Sequence, residues 1–103
     1  MEKKRHNQPH YSSYARYAMR RFAGAIPYGS DTEAVKRDME CCAKAVRTFE
    51  NPMRGFMVDL YAYGDIAVNV ERLAEKQHYT VSYVWACVRK LERNFAAYRG
   101  LSI

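Results

Sequence analysis

Arg89, Lys90 and Arg93 are the residues of this chain best placed to act on a partner. They fall in a segment where Val84, Val88, Leu91 and Phe95 recur at steps of three and four, with Cys87 and Tyr98 flanking. That spacing marks the apolar face of a helix. Ser82, Ala86, Arg89 and Arg93 occupy the opposite face, with Tyr83 and Lys90 at one edge of it and Trp85 at the other. A guanidinium presents a planar fork of donors that matches two acceptors on a guanine edge or clamps a phosphate, and an ammonium adds a compact charge. The implied chemistry is recognition of an anionic polymer, not bond breaking.

Other reactive residue types do not assemble into a site by spacing. Cys87 lies on the apolar side of its helix, where a buried thiol stays neutral and inert. His6 and His10, with Cys41, Cys42 and His78, offer metal-ligand chemistry, yet no second pair completes a zinc pattern. Asp59 and Asp65 are not spaced as a catalytic carboxylate pair, and no Gly-rich phosphate loop is present. The nine tyrosines can stack on single-stranded bases, but at helical spacing they serve more often as core or rim residues. These observations argue against an enzyme, a resident metal or a cofactor.

The elements that must position the basic face are all helices. Tyr11, Tyr14, Ala15, Ala18 and Phe22 form one stripe, which predicts a helix over 11–24 that Gly24 and Pro27 stop. Ser30-Asp31-Thr32-Glu33 reads as a capping box ahead of Val35, Met39, Cys42, Val46 and Phe49, a helix over 31–48. Asn51-Pro52 opens a third helix over 53–63, with Phe56, Met57, Leu60 and Tyr61 on its apolar face. Gly64 stops it near Asp65, and Asn69 is the expected cap of a short helix over 69–77. Within that helix Leu73 is followed by Ala74, small enough to let two backbones approach. Tyr79 stands in the turn and Thr80 caps the last helix, over 81–98. This is the layout of a helix-turn-helix at 69–98. His78 stands where such turns commonly hold Gly, so it must adopt a left-handed conformation or the turn must be longer. The expected fold is all-α, with about five helices and a shared core of Val35, Met39, Val46, Phe56, Leu60, Leu73, Val84, Val88 and Leu91.

Composition sets the frame. The chain has 103 residues, 49% of them hydrophobic, which suits one packed domain. Its net charge of +6 is unevenly spread. Residues 1–24 carry Lys3, Lys4, Arg5, Arg16, Arg20 and Arg21 against Glu2 alone, the stretch 25–68 is net acidic, and 69–103 is again basic. Basic ends suit nucleic acid or an anionic surface. The organisation expected is a flexible basic arm over 1–10 followed by a single helical domain over 11–103. Three cysteines, two of them adjacent, do not make a disulfide framework and fit reduced thiols. No signal peptide or apolar run of membrane-spanning length is read, so the expectation is a cytoplasmic protein without a membrane partner.

From Val46 onward the order of features resembles the promoter-recognition region of sigma factors, region four, and most of all the small phage-encoded late transcriptional regulators that carry it. LYAY stands where those proteins have an aromatic helix end, and ERLAEKQHYTVSYVWACVRKLE stands where they have the helix-turn-helix. YARYAMRRF is similar to the tyrosine- and arginine-rich opening helix of some phage regulators. The resemblance implies transcriptional regulation through double-stranded promoter DNA and raises RNA polymerase as a partner. It aligns Ser82, Tyr83, Ala86, Arg89 and Lys90 with exposed recognition positions. Arg93 extends that surface, and Lys3, Lys4, Arg5, Arg16, Arg20, Arg21 and Thr80 are the expected supporting phosphate contacts.

Two other readings compete: a helical interaction module whose basic surface meets an acidic protein, and a phage DNA-packaging component with a helix-turn-helix. If the basic arm adds general electrostatic affinity, deleting residues 1–10 should weaken binding equally on all DNA sequences and flatten its salt dependence. Fluorescence anisotropy on selected and random duplexes checks this; lost discrimination at an unchanged salt slope would contradict it.

Overall fold

The computed structural model describes residues 10–27, 29 and 31–101. Five helices follow one another: α1 (Ser12–Phe22), α2 (Glu33–Arg47), α3 (Met53–Ala62), α4 (Ile66–Gln77) and α5 (Val81–Arg99), with no strand among the described residues. The all-α expectation holds, and the helices lie where apolar periodicity placed them. Their starts differ. Thr32 caps α2, its hydroxyl accepting from the Val35 amide, so the capping box anchored on Ser30 is corrected by two residues; Ser30 itself lies outside the described residues. Asp65, not Asn69, caps α4, with its carboxylate accepting from the Ala67 amide. The helix therefore begins one turn earlier than residue 69.

Asn69 does something else. It is buried, and its amide donates to the Leu60 and Tyr63 carbonyls at 3.0 and 2.6 Å. These are the carbonyls that the end of α3 would otherwise leave unmet. One side chain thus closes α3 while standing on α4.

Buried side chains from every helix except the rim positions join one cluster: Ala18 and Met19 from α1, Cys42 and Ala45 from α2, Met57 and Leu60 from α3, Val70 and Ala74 from α4, and Val84, Val88, Leu91 and Phe95 from α5. Met39 and Leu73, expected in the centre, are only partly buried and pack against its margin, and Phe56 is likewise only partly buried. On α1 the fully buried Met19 takes the place expected for Tyr14 and Phe22, which lie nearer the surface. A helix contributes a stripe to its core, and which flank turns in is set by its neighbours.

Two carboxylates cross this apolar interior. Glu92 of α5, 2% exposed, accepts from Arg16 Nε of α1 at 2.7 Å and from the Tyr61 hydroxyl of α3 at 3.0 Å. Asp38 of α2 accepts from Arg99 Nε of α5 at 2.7 Å and from the Tyr14 hydroxyl of α1 at 2.8 Å. Burial, and then the Glu92 carboxylate, push the Tyr61 phenol well above its ordinary range, so it remains a donor. Arg16 also lies over the Trp85 ring, 5.8 Å from its centroid.

Removing either partner of a buried pair leaves the other desolvated and unmet. Glu92→Ala should therefore cost about 3 kcal/mol of stability, because it strands the Tyr61 hydroxyl and the Arg16 charge. Tyr61→Phe should cost about 1 kcal/mol, since Glu92 keeps Arg16. Urea denaturation measures both; equal costs, or a neutral Glu92→Ala, would contradict this arrangement.

Candidate nucleic-acid interface

The segment between α4 and α5 is His78, Tyr79 and Thr80. His78 is left-handed, at φ 62 and ψ 33. The Tyr79 amide donates to the Ala74 carbonyl at 2.9 Å and the His78 amide to Glu75 at 3.4 Å. These paired bonds form a Schellman closure, the usual work of Gly at this position. Of the two ways to resolve His78, the chain takes the strained conformation and keeps the turn short. The Thr80 hydroxyl then accepts from the Tyr83 amide at 3.0 Å and starts α5. Tyr79 packs against the core, and its ring lies 5.1 Å from that of Tyr83.

Ala74 and Val70 of α4 share the buried cluster with Val84 and Val88 of α5. The apolar side of α5 is consumed by the core, so its other side faces outward. Ser82, Tyr83, Ala86, Arg89, Lys90 and Arg93 are all exposed. Arg89 and Arg93 are one helical turn apart, with Ala86 and Ser82 continuing the same line toward the helix start. Lys90 lies alongside, its Nζ 5.1 Å from the centre of the Phe49 ring in the α2–α3 connection. Among the described residues none of these three cations has an ion-pair partner. Glu92, the one acidic residue of α5, is turned into the core toward Arg16. The outward charge of α5 between Val81 and Arg93 is therefore entirely positive.

The arginines of α1 behave differently from the expected row of phosphate contacts. Arg16 is held against buried Glu92. Arg20 donates to the Gly64 carbonyl at 3.0 Å and so braces the α3–α4 connection. Arg21 donates to the Tyr17 hydroxyl at 3.3 Å and lies over that ring. Lys3, Lys4 and Arg5 lie outside the described residues. The chain enters the described structure at His10 and Tyr11, and Tyr11 and Ser12 line the same hollow as Arg89, Lys90 and Arg93. Asn94 completes that hollow and donates to the Thr48 hydroxyl at 3.1 Å.

Sequence spacing identified the outward face of α5 but missed Ser12 and Asn94 beside it. Asn94 carries a weak signal, being one turn after Lys90. Ser12 carries none, because its place follows from how α1 packs on α5. Cys41 and Cys42 are buried, and burial pushes both thiols up, which disfavours the reactive thiolate. No helix among the described residues is long and apolar enough to cross a membrane.

No protein-family model matches this chain, and no curated protein or solved structure matches it.

The left-handed histidine generates a test of the turn. His78→Gly should raise stability by about 0.5–1 kcal/mol, since Gly adopts this conformation without the Cβ penalty but loses more freedom on folding. His78→Val should lower stability by more than that gain. Thermal unfolding monitored by circular dichroism measures both; a destabilised His78→Gly would show that the imidazole makes a contact worth more than the strain.

Proposed function

We propose that this protein binds double-stranded DNA through the outer face of α5 and acts in transcriptional regulation. The observation that carries the reading is the unopposed row of Arg89, Lys90 and Arg93 on an exposed helix face, directly after a short capped turn from α4. An α-helix fits the major groove, and the second helix of a helix-turn-helix approaches with its N-terminal residues nearest the base edges. Ser82, Tyr83 and Ala86 occupy that part of α5. A hydroxyl, a phenol and a methyl group suit hydrogen bonds to bases and contact with a thymine methyl. Arg89, Lys90 and Arg93 lie further along, where the groove wall brings phosphates close. Electrostatic capture by these cations precedes base reading and makes affinity depend on salt.

The sigma-like order of features from Val46 onward supports a role at promoters, with RNA polymerase as a second partner of the complex. The α4–α5 arrangement would then serve as the helix-turn-helix, with α1–α3 as its platform.

Arg89→Ala should leave the melting temperature unchanged, because the side chain is exposed. It should weaken binding to a selected genomic duplex by about 1–3 kcal/mol if its contact is to a base edge, and weaken binding about equally on all sequences if it is to a phosphate. Val84→Ala, in the core, should instead destabilise the fold by about 2 kcal/mol. Exchanging Ser82 or Tyr83 should change which duplex is preferred. If Arg89→Ala leaves affinity for both selected and random DNA intact, α5 is structural and the DNA reading is wrong; capture of an acidic protein by the same face would favour the interaction module.

A further inference from the structure

Phe56 has no place in the core. Of the four phenylalanines, Phe49 and Phe95 lie in the central cluster and Phe22 packs against it, whereas Phe56 is partly buried and does neither. It lines a half-open cleft of about 130 Å³ between α3 and α4. Tyr63, just past the end of α3, lines the same cleft and is the most exposed large hydrophobic residue among those described, at 57%. Leu60 and Leu73 complete the apolar lining. Two aromatic residues left outside the core at one cleft present apolar surface that an occupant would take out of water.

The polar lining is unevenly charged. Arg72 and Lys76 stand one turn apart on α4 and border the cleft together. Among the described residues neither is held in an ion pair. Asp59 is the one acidic lining residue, and it comes from α3. An anionic group is therefore drawn to the α4 rim and turned away from Asp59. Asn69 and Gln77, the remaining lining residues, are uncharged. The Asn69 amide is already committed to the Leu60 and Tyr63 carbonyls, so this wall is fixed before an occupant arrives.

Size decides the kind of occupant. An apolar cavity of roughly 150 Å³ accepts one benzene ring. A stable protein interface presents roughly 800 Å² on each partner, which a cleft that admits one ring cannot supply alone. We propose that this cleft binds a small aromatic carboxylate, its ring among Phe56, Leu60, Tyr63 and Leu73 and its carboxylate on Arg72 and Lys76. The site is independent of the DNA-binding reading and shares no lining residue with the outer face of α5. Lys76 and Gln77 are the last residues of α4 before His78. An occupant that ties α4 to the end of α3 thereby restrains the turn that leads into α5.

Amide-resolved NMR on the full chain tests the site, with benzoate, acetate and benzyl alcohol as probes at matched ionic strength. Benzoate should shift the Tyr63, Arg72, Leu73 and Lys76 amides and the Asn69 side-chain amide in a saturable way. Its ring protons should show nuclear Overhauser contacts to Phe56 and Tyr63. Acetate lacks the ring and benzyl alcohol the charge, so each should bind at least about tenfold more weakly. Arg72 is exposed, so Arg72→Gln should keep the melting temperature and weaken benzoate binding by about tenfold, while Arg72→Lys should retain most of it. Arg47→Gln, which removes an exposed cation outside the cleft, should leave benzoate binding unchanged. Equal responses to benzoate and acetate, ring contacts elsewhere, or an Arg72→Gln chain with undiminished binding would overturn the proposal. So would cleft shifts produced by raising the concentration of the chain alone, which assign the surface to a second copy. A cleft that ignores benzoate yet takes an acetylated Asp-Phe dipeptide would overturn it too, in favour of a peptide partner.

Discussion

Glu92 determines which face of α5 is turned outward. A carboxylate in the interior is tolerable only when its charge and lone pairs are met, and here Arg16 and Tyr61 meet them from two different helices. The pair fixes the rotation of α5 about its own axis. With Glu92 inward, Leu91 and Val88 enter the core while Arg89 and Arg93 emerge outside. The same contact removes the one negative charge of α5 from its outer surface. A second carboxylate, Asp38, repeats the device toward the far end of α5 with Arg99 and Tyr14. The two nodes pin the long helix at separate points. Buried ion pairs contribute little net stability against an apolar replacement, and their use here is to select one orientation.

The connections on either side of α4 are equally constrained. Asn69 and Arg20 satisfy carbonyls at the end of α3 and at Gly64, so the α3–α4 connection is held from both sides. His78 accepts a left-handed backbone to keep the α4–α5 turn short. The strain is of the order of 1 kcal/mol and is offset by the two closing hydrogen bonds and the docking of Tyr79. A longer turn would free α4 from α5 and loosen the face that α5 displays.

Much of this architecture was legible in the residues because it depends on local spacing. Val84, Val88, Leu91 and Phe95 announce the buried side of α5, and its exposed side follows by exclusion. Thr80 and the left-handed demand on His78 could be read from the same short stretch. Caps were harder, since Thr32 and Asp65 compete with Ser30 and Asn69 on nearly equal chemistry. The decision came from where the preceding chain runs. The polar interior was not legible at all: Arg16 reads as one more surface cation until a carboxylate 76 positions away is found beside it. Ser12 likewise comes beside Arg89 and Arg93 only when α1 is laid against α5. Sequence periodicity gives the faces of helices, and long-range packing decides which charges those faces keep.

In the proposed function, the uniformly positive outer face of α5 is the surface that meets DNA. Amide shift mapping on titration with a selected genomic duplex addresses it most directly. The shifts should concentrate on Ser82, Tyr83, Ala86, Arg89, Lys90 and Arg93, leaving the outer faces of α2 and α4 unchanged. Shifts centred on α2 or α4, with α5 silent, would contradict it.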